Sequence, residues 1–266
     1  MKQYIFTTSS LPTLKIGEAP AMTFEELDTL LYENLLPSDY KQTEVLRSLY
    51  DILNIRALWK GDPLDPHGNL NENELEEAMV DQTNLPWYVK DFLDTYTKKE
   101  ERLKFFPLLI SQFFKEEAKQ RDPFLKKYLD FERKLQLVLV GFRAKKLGRN
   151  LEKELQFEDP NDDLIAQILA QKNAAEFEPP EGFEDLKIIF EAHQDDPIKL
   201  YQALCEFRFE KIEKMMGNDT FSLSKILGFM AELIIVEKWM ELDEKKGMEI
   251  IDEILEKSTG EKRRKV

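Results

Sequence analysis

The chain has 266 residues, enough for one large domain or two modest ones with a sizeable core. Hydrophobic residues make up 42% and aromatic residues 11%, with 18 Phe, which excludes a disordered chain because disordered segments are poor in such residues. Against 38 Lys and Arg stand 52 Asp and Glu, a net charge of -14, so phosphate backbones repel the chain and nucleic acid is not an expected partner.

In chain order, residues 1–20 read as extended or loop-like, with Pro12 and Pro20 as breakers. The short run Gln3 to Thr7 is the sole strand candidate. Thr23, with Glu26 three residues later, is a capping box that opens a helix along Phe24, Leu27, Leu30 and Leu31. Ser38 or Asp39 begins the next helix, which ends near Lys60 at the turn-rich stretch 61–68. Two short helices are predicted over 71–80 and 86–97. Glu100 to Lys119 is strongly helical, and Pro107 inside it predicts a kink or a new start. Asp122-Pro123 caps a long helix that runs to about Leu147 and stops at Gly148. Shorter helices follow over 160–173 and 183–192. Asp196-Pro197 caps another, which ends before Gly217. Ser222 or Ser224 starts the next, and a separate last helix carries the stripe Met248, Ile251, Ile254 and Leu255 against it. The expectation is a single all-α domain over 1–266, with sub-units 1–97, 98–175 and 176–266, and helix above about 60% of the chain where a third is usual.

The helix ends share a pattern. Arg56-Ala57 to Gly61 and Arg143-Ala144-Lys145-Lys146 to Gly148 both read Arg-Ala-x-x-x-Gly. Helix C-termini favour basic residues followed by Gly, so the echo is either a true repeat or two similar caps.

Recognisable catalytic chemistry is missing. No phosphate-binding glycine loop occurs. Two histidines, His67 and His193, and the single Cys205 make a zinc site improbable and exclude an internal disulfide. The spacing from Gly68 to Glu74 matches a calcium loop, but Pro63 and His67 fall where oxygen ligands are needed, so a capped turn led by Asn71 is the better reading. No cofactor, no metal and no ATP hydrolysis are expected. No hydrophobic run approaches the ~18 residues of a membrane span. Met1 to Phe6 does not read as a signal peptide. The basic run Lys262-Arg263-Arg264-Lys265 reads as a solvated tail or a polyanion-binding signal.

The chain as a whole resembles a small bacterial family of unknown function whose genes accompany bacterial V-type ATP synthase genes. The resemblance rests on Tyr4-Ile5-Phe6 with Ser9-Ser10-Leu11-Pro12, on Leu64-Asp65-Pro66, and on Arg121-Asp122-Pro123-Phe124 through Asp130-Phe131-Glu132-Arg133 to Gly148. That family is in turn similar to the C/d family of central-stalk proteins in V/A-type rotary ATPases, shared by the archaeal-type and the eukaryotic vacuolar enzymes. The signature there is an acid, Asn three residues on, then Arg and a downstream Gly, repeated around a helical funnel. Asp51, Asn54, Arg56 and Gly61 fit it; the second copy keeps Arg143 and Gly148 without the Asn; the third has Glu237 with neither the Asn nor a clean Arg. The resemblance implies a non-catalytic coupling subunit that links the central shaft to the membrane rotor ring. Shaft and rotor subunits would be its partners, and its place would be cytoplasmic or peripheral at the inner membrane through them. Asp51, Asn54, Arg56, Arg143, Lys145 and Lys146 would then be structural or interface residues. The other reading of the same residues is a cytoplasmic helical scaffold or adaptor unrelated to rotary ATPases.

Overall fold

The computed structural model describes the backbone of residues 3–119 and 122–262, and the side chains of 3–119 and 122–242. It is all helical, a multi-helix assembly with 68% of residues in helix and no strand among the described residues. The helices are α1 (Ile5–Ser9), α2 (Phe24–Asn34), α3 (Pro37–Lys60), α4 (Glu72–Asp81), α5 (Trp87–Thr95), α6 (Lys99–Glu117), α7 (Pro123–Lys146), α8 (Leu151–Glu154), α9 (Asp163–Ala170), α10 (Asp185–His193), α11 (Pro197–Met216) and α12 (Leu223–Lys262).

Local chemistry sets most boundaries. The Thr23 hydroxyl accepts from the Glu26 amide while the Glu26 side chain accepts from the Thr23 amide, and Asn71 and Glu74 do the same at the start of α4. Each box satisfies two helix-end donors that have no intrahelical partner. Asp122, Asp162 and Asp196 cap α7, α9 and α11 in the same sense, with Pro at the first position of α7 and α11.

Four expectations are corrected. The strand candidate at Gln3 to Thr7 forms no strand: its last three residues open α1 at Ile5, and tertiary contacts anchor it, since the Tyr4 amide donates to the Phe221 carbonyl at 2.8 Å and the Tyr4 hydroxyl donates to Asp39. The α3 helix starts at Pro37 rather than Ser38 or Asp39, because the fixed φ of proline suits a first turn whose N–H has no partner anyway. No helix starts at Pro107: of the two readings the start is overturned, since α6 runs through it, and burial of Phe106, Leu109, Phe113 and Phe114 compensates one lost backbone hydrogen bond. The separate final helix does not exist as such, for α12 continues unbroken from Leu223 to Lys262 through Gly247. The stripe from Met248 to Leu255 and the basic run 262–265 lie outside the described side chains. The short α8, capped by Asn150, had no counterpart in the periodicity.

Two apolar cores form. The first gathers Tyr4, Leu14, α2 to α6, the start of α7, Cys205, Ile212 and Met216 of α11, and α12 from Ile226 to Val236. The second gathers the rest of α7 with Leu151, Ile165, Phe177, Phe190 and Phe207. The α7 helix belongs to both, from Phe124 and Leu129 in the first to Phe131 and Phe142 in the second. The first core spans position 97, with Leu93 and Phe106 in one cluster, and the second spans position 175, with Leu151 and Leu186 in one cluster. Inside the first core stands the carboxyl of Glu232, 5% exposed, whose Oε1 has no hydrogen-bond partner among the described residues. Burial pushes its pKa up to about 8.

Candidate functional site: a loop clamp and the cleft beside it

The stretch between Gly61 and Asn71 has no regular structure, so its backbone groups need partners from elsewhere. The α3 helix supplies them. Asn54, 1% exposed, closes a two-way bond with Asp65: its Nδ2 donates to the Asp65 carbonyl at 2.9 Å and its Oδ1 accepts from the Asp65 amide at 2.8 Å. One turn earlier, Asp51 Oδ1 accepts from the amides of Asn69 at 2.7 Å and Leu70 at 3.1 Å, and Oδ2 accepts from Asn69 Nδ2 at 2.7 Å. Burial pushes the Asp51 carboxyl above its ordinary range despite these donors. Gly68 is required where the loop crosses α3: a Cβ there would stand 2.7 Å from Asp51 Oδ1 and 2.9 Å from Asn54 Nδ2. Arg47 completes the α3 side, donating to the carbonyls of His67 at 3.3 Å and Gly68 at 2.5 Å and to Asp28 of α2 at 2.8 Å.

The α12 helix closes the clamp from the other side. The His67 side chain, 1% exposed, stands between Asp65 (2.6 Å) and Glu237 (2.9 Å). Glu237 also accepts from the Phe24 amide at 2.8 Å, at the positive end of α2. Lys238 pairs with Asp65. Burial works against a charge on His67, but the two carboxylates raise its pKa above the usual 6.5. Burial likewise opposes the Asp65 charge, and His67 and Lys238 bring it down to about 2. The loop is thus bound to α3 and α12 through charged and amide groups that were distant in the chain, and Asp28 and the Phe24 amide of α2 hold Arg47 and Glu237 from behind.

A cleft of about 250 Å³ opens beside this clamp between α3, α7, α11 and α12. Leu53, Leu135, Leu139 and Leu204 give it apolar walls, and Asp65 and Lys238 are shared with the clamp. At its inner wall Arg208 donates Nε and Nη2 to one oxygen of the buried Glu132, at 2.9 and 2.8 Å. Burial disfavours the Arg208 charge, yet Glu132 beside it holds the guanidinium protonated well above its ordinary value. Cys205 also lines the cleft, and burial pushes its thiol up, away from the reactive thiolate.

The residues marked by the sequence separate into two kinds. Asp51 and Asn54 are inside the clamp. Lys145 donates to the carbonyls of Lys172 at 2.9 Å and Ala174 at 2.7 Å, and Lys146 pairs with Asp195 at 2.8 Å. Both lysines therefore tie the end of α7 to later loops. Arg56 and Arg143 are exposed and form no ion pair among the described residues. Instead of a carboxylate on a neighbouring helix, Arg56 has the ring of Phe106, 5.3 Å from its guanidinium carbon. Arg143 lines the cleft.

Sequence reasoning missed Lys238, Arg47 and the Glu132–Arg208 pair, and it named His67 and Glu237 without bringing them together. His67 sits 170 residues from Glu237, and no local spacing reports such a pair. Among the described residues no group of three or more His, Cys, Asp or Glu side chains is arranged to hold a metal ion, and no helix is long and apolar enough to cross a membrane.

Comparison with known proteins gives a family but no activity. Residues 1–261 match the sequence profile of DUF2764, described as a protein of unknown function. A protein of Chlamydia pneumoniae described as uncharacterised is 30% identical over 260 residues, covering 96% of this chain and 98% of its own. Uncharacterised proteins of Chlamydia muridarum and Chlamydia trachomatis are 28% and 26% identical, each over 258 residues, 95% of this chain and 97% of theirs. No solved structure matches.

Proposed function

The chain belongs to the DUF2764 family, and we propose that it is a non-catalytic coupling subunit of a V/A-type rotary ATPase, standing between the central shaft and the membrane rotor ring. The observation that carries this reading is the clamp. Asp51 and Asn54, the two polar residues of the signature that the chain resembles, are spent on locking one loop to one helix. A subunit that transmits torque does no chemistry of its own and needs units that do not yield. A buried, satisfied polar network fixes one arrangement of its elements, because every alternative leaves a buried group unpaired. The two exposed arginines at helix ends and the excess of acids elsewhere supply the charge contrast that contact with other subunits uses.

The test is a tagged full-length chain purified from a cell that carries the rotary ATPase genes. Shaft and rotor-ring subunits should be recovered with it in comparable amounts. A rotary ATPase isolated intact through another of its subunits, and lacking this chain, would overturn the reading. Recovery of the chain with other proteins in place of the ATPase would favour the scaffold or adaptor reading.

A further inference from the structure

We propose that the cleft between α3, α7, α11 and α12 is a binding site for a single carboxylate carried on a small apolar body. The charges in the cleft do not balance. Three cations, Arg143, Arg208 and Lys238, face two carboxylates, Glu132 and Asp65. Each carboxylate is already taken: Glu132 by Arg208 at 2.8 Å, and Asp65 by Lys238. Arg143 is left over. Its neighbours Lys145 and Lys146 in the same turn are occupied by carbonyls and by Asp195, so helix-end attraction alone does not account for an arginine that faces a cavity without an anion. An arginine with free donors beside an apolar wall is suited to a carboxylate, which it can hold through two parallel bonds.

The rest of the cleft selects the body of the ligand. The leucine walls favour an aliphatic or aromatic group over a second polar one. The volume of about 250 Å³ lies below the ~300–1,000 Å³ of sites for drug-sized ligands, so the group is small. A cation is disfavoured by the unbalanced arginine. The carboxylate can come from a free organic acid or from an acidic side chain or chain end of a partner. The proposal stands independently of the rotary-ATPase reading, and either can fail alone.

The test uses the full-length chain and 3-phenylpropanoate, followed by ligand-observed NMR and calorimetry, with 3-phenylpropanol and 3-phenylpropylamine as matched neutral and cationic probes. The acid should bind, the alcohol about tenfold more weakly for want of the charged bonds, and the amine not at all. Arg143→Met keeps the apolar stem of an exposed side chain and should weaken the acid about tenfold while leaving the melting temperature in place. Leu53→Trp, at a half-exposed position on the cleft wall, should block all three probes. Equal binding of acid and alcohol, unchanged binding by Arg143→Met, or no binding of the acid to the wild-type chain would each overturn the proposal. Once the acid binds the isolated chain, the same titration on protein purified with its native partners identifies the source. Lost uptake assigns the cleft to a partner's carboxylate, and unchanged uptake assigns it to a free acid.

Discussion

The ends of α3 and α7 use the same backbone device and opposite chemistry. In both, a glycine takes a left-handed conformation, Gly61 at φ 78° and Gly148 at φ 60°. In both, the residue after it donates to the alanine carbonyl five residues back, Asp62 to Ala57 at 3.0 Å and Arg149 to Ala144 at 2.8 Å. Aligned on Arg56 and Arg143, the position of Asp51 falls on Val138 and that of Asn54 on Gly141. In the first region these positions carry side chains that bind a loop by hydrogen bonds. In the second, Val138 is fully buried and Gly141 is bare, so that the ring of Phe177 sits where a Cβ would meet it at 2.5 Å. Helix ending is a local property and is shared. The means of holding the segment that follows is a tertiary property and differs. Glu237 on α12, which a third alignment sets against Asp51, falls between the two: it is a carboxylate again, spent on the Phe24 amide and His67.

The largest expected effect lies in the apolar region. Phe177→Ala removes a ring that packs on Phe142 at 4.9 Å and leaves a cavity over Gly141, with an expected loss of about 3–5 kcal/mol in chemical denaturation. A loss under about 1 kcal/mol would mean that the ring only rests on the helix and that the apolar half of the comparison is misread.

The polar region should respond less per residue and in a different way. Asp51→Ala or Asn54→Ala leaves loop backbone groups without partners, at about 1–3 kcal/mol for each buried group unpaired. Both residues hold one loop, so the double variant should cost less than the sum of the singles. Strict additivity would show that Asp51 and Asn54 act on separate structures and that there is no single clamp.

These two regions also mark how far the sequence could be read. Thr23 with Glu26, Asn71 with Glu74, Asp122-Pro123 and the two glycines announced helix ends because capping is settled within a few residues. The periodicity then placed most of the long helices within a few residues of their bounds. Asp51 and Asn54 drew notice through a resemblance, but nothing in the sequence told that they face residues 65–70. The pairs His67 with Glu237 and Glu132 with Arg208 were hidden altogether, because they form only once α12 and α11 pack against α3 and α7. Short helices such as α1 were lost for the same reason: Tyr4 is held by Phe221 and Asp39, not by its neighbours in sequence.

A pH series separates the two regions without removing either. The folded pKa of His67 lies above 6.5, so the folded chain holds its proton more tightly than the unfolded one. The stability this contributes is complete below 6.5 and is lost as pH rises through the raised folded value. His67→Asn should flatten that part of the stability profile, whereas Phe177→Ala should shift the whole profile down with its slope unchanged. The same slope in wild type and His67→Asn would remove the titrating link from the clamp.

The smallest effect tests what the two regions share. Gly61→Ala and Gly148→Ala each place a Cβ in open space, with no atom within 4 Å. Neither substitution can act through packing, so the cost is that of holding alanine in a left-handed conformation, about 1 kcal/mol. The two costs should agree to within about 0.5 kcal/mol and should add in the double variant. Each should also be unaffected by the background, whether Asn54→Ala or Phe177→Ala, because the cap bonds run within the helix end and not to the clamped segment. A large difference between them, or a cost at Gly61 that vanishes in the Asn54→Ala background, would show that the cap and the clamp fold as one unit. The common pattern Arg-Ala-x-x-x-Gly would then have to be read as part of a longer repeated element rather than as two similar ways of stopping a helix.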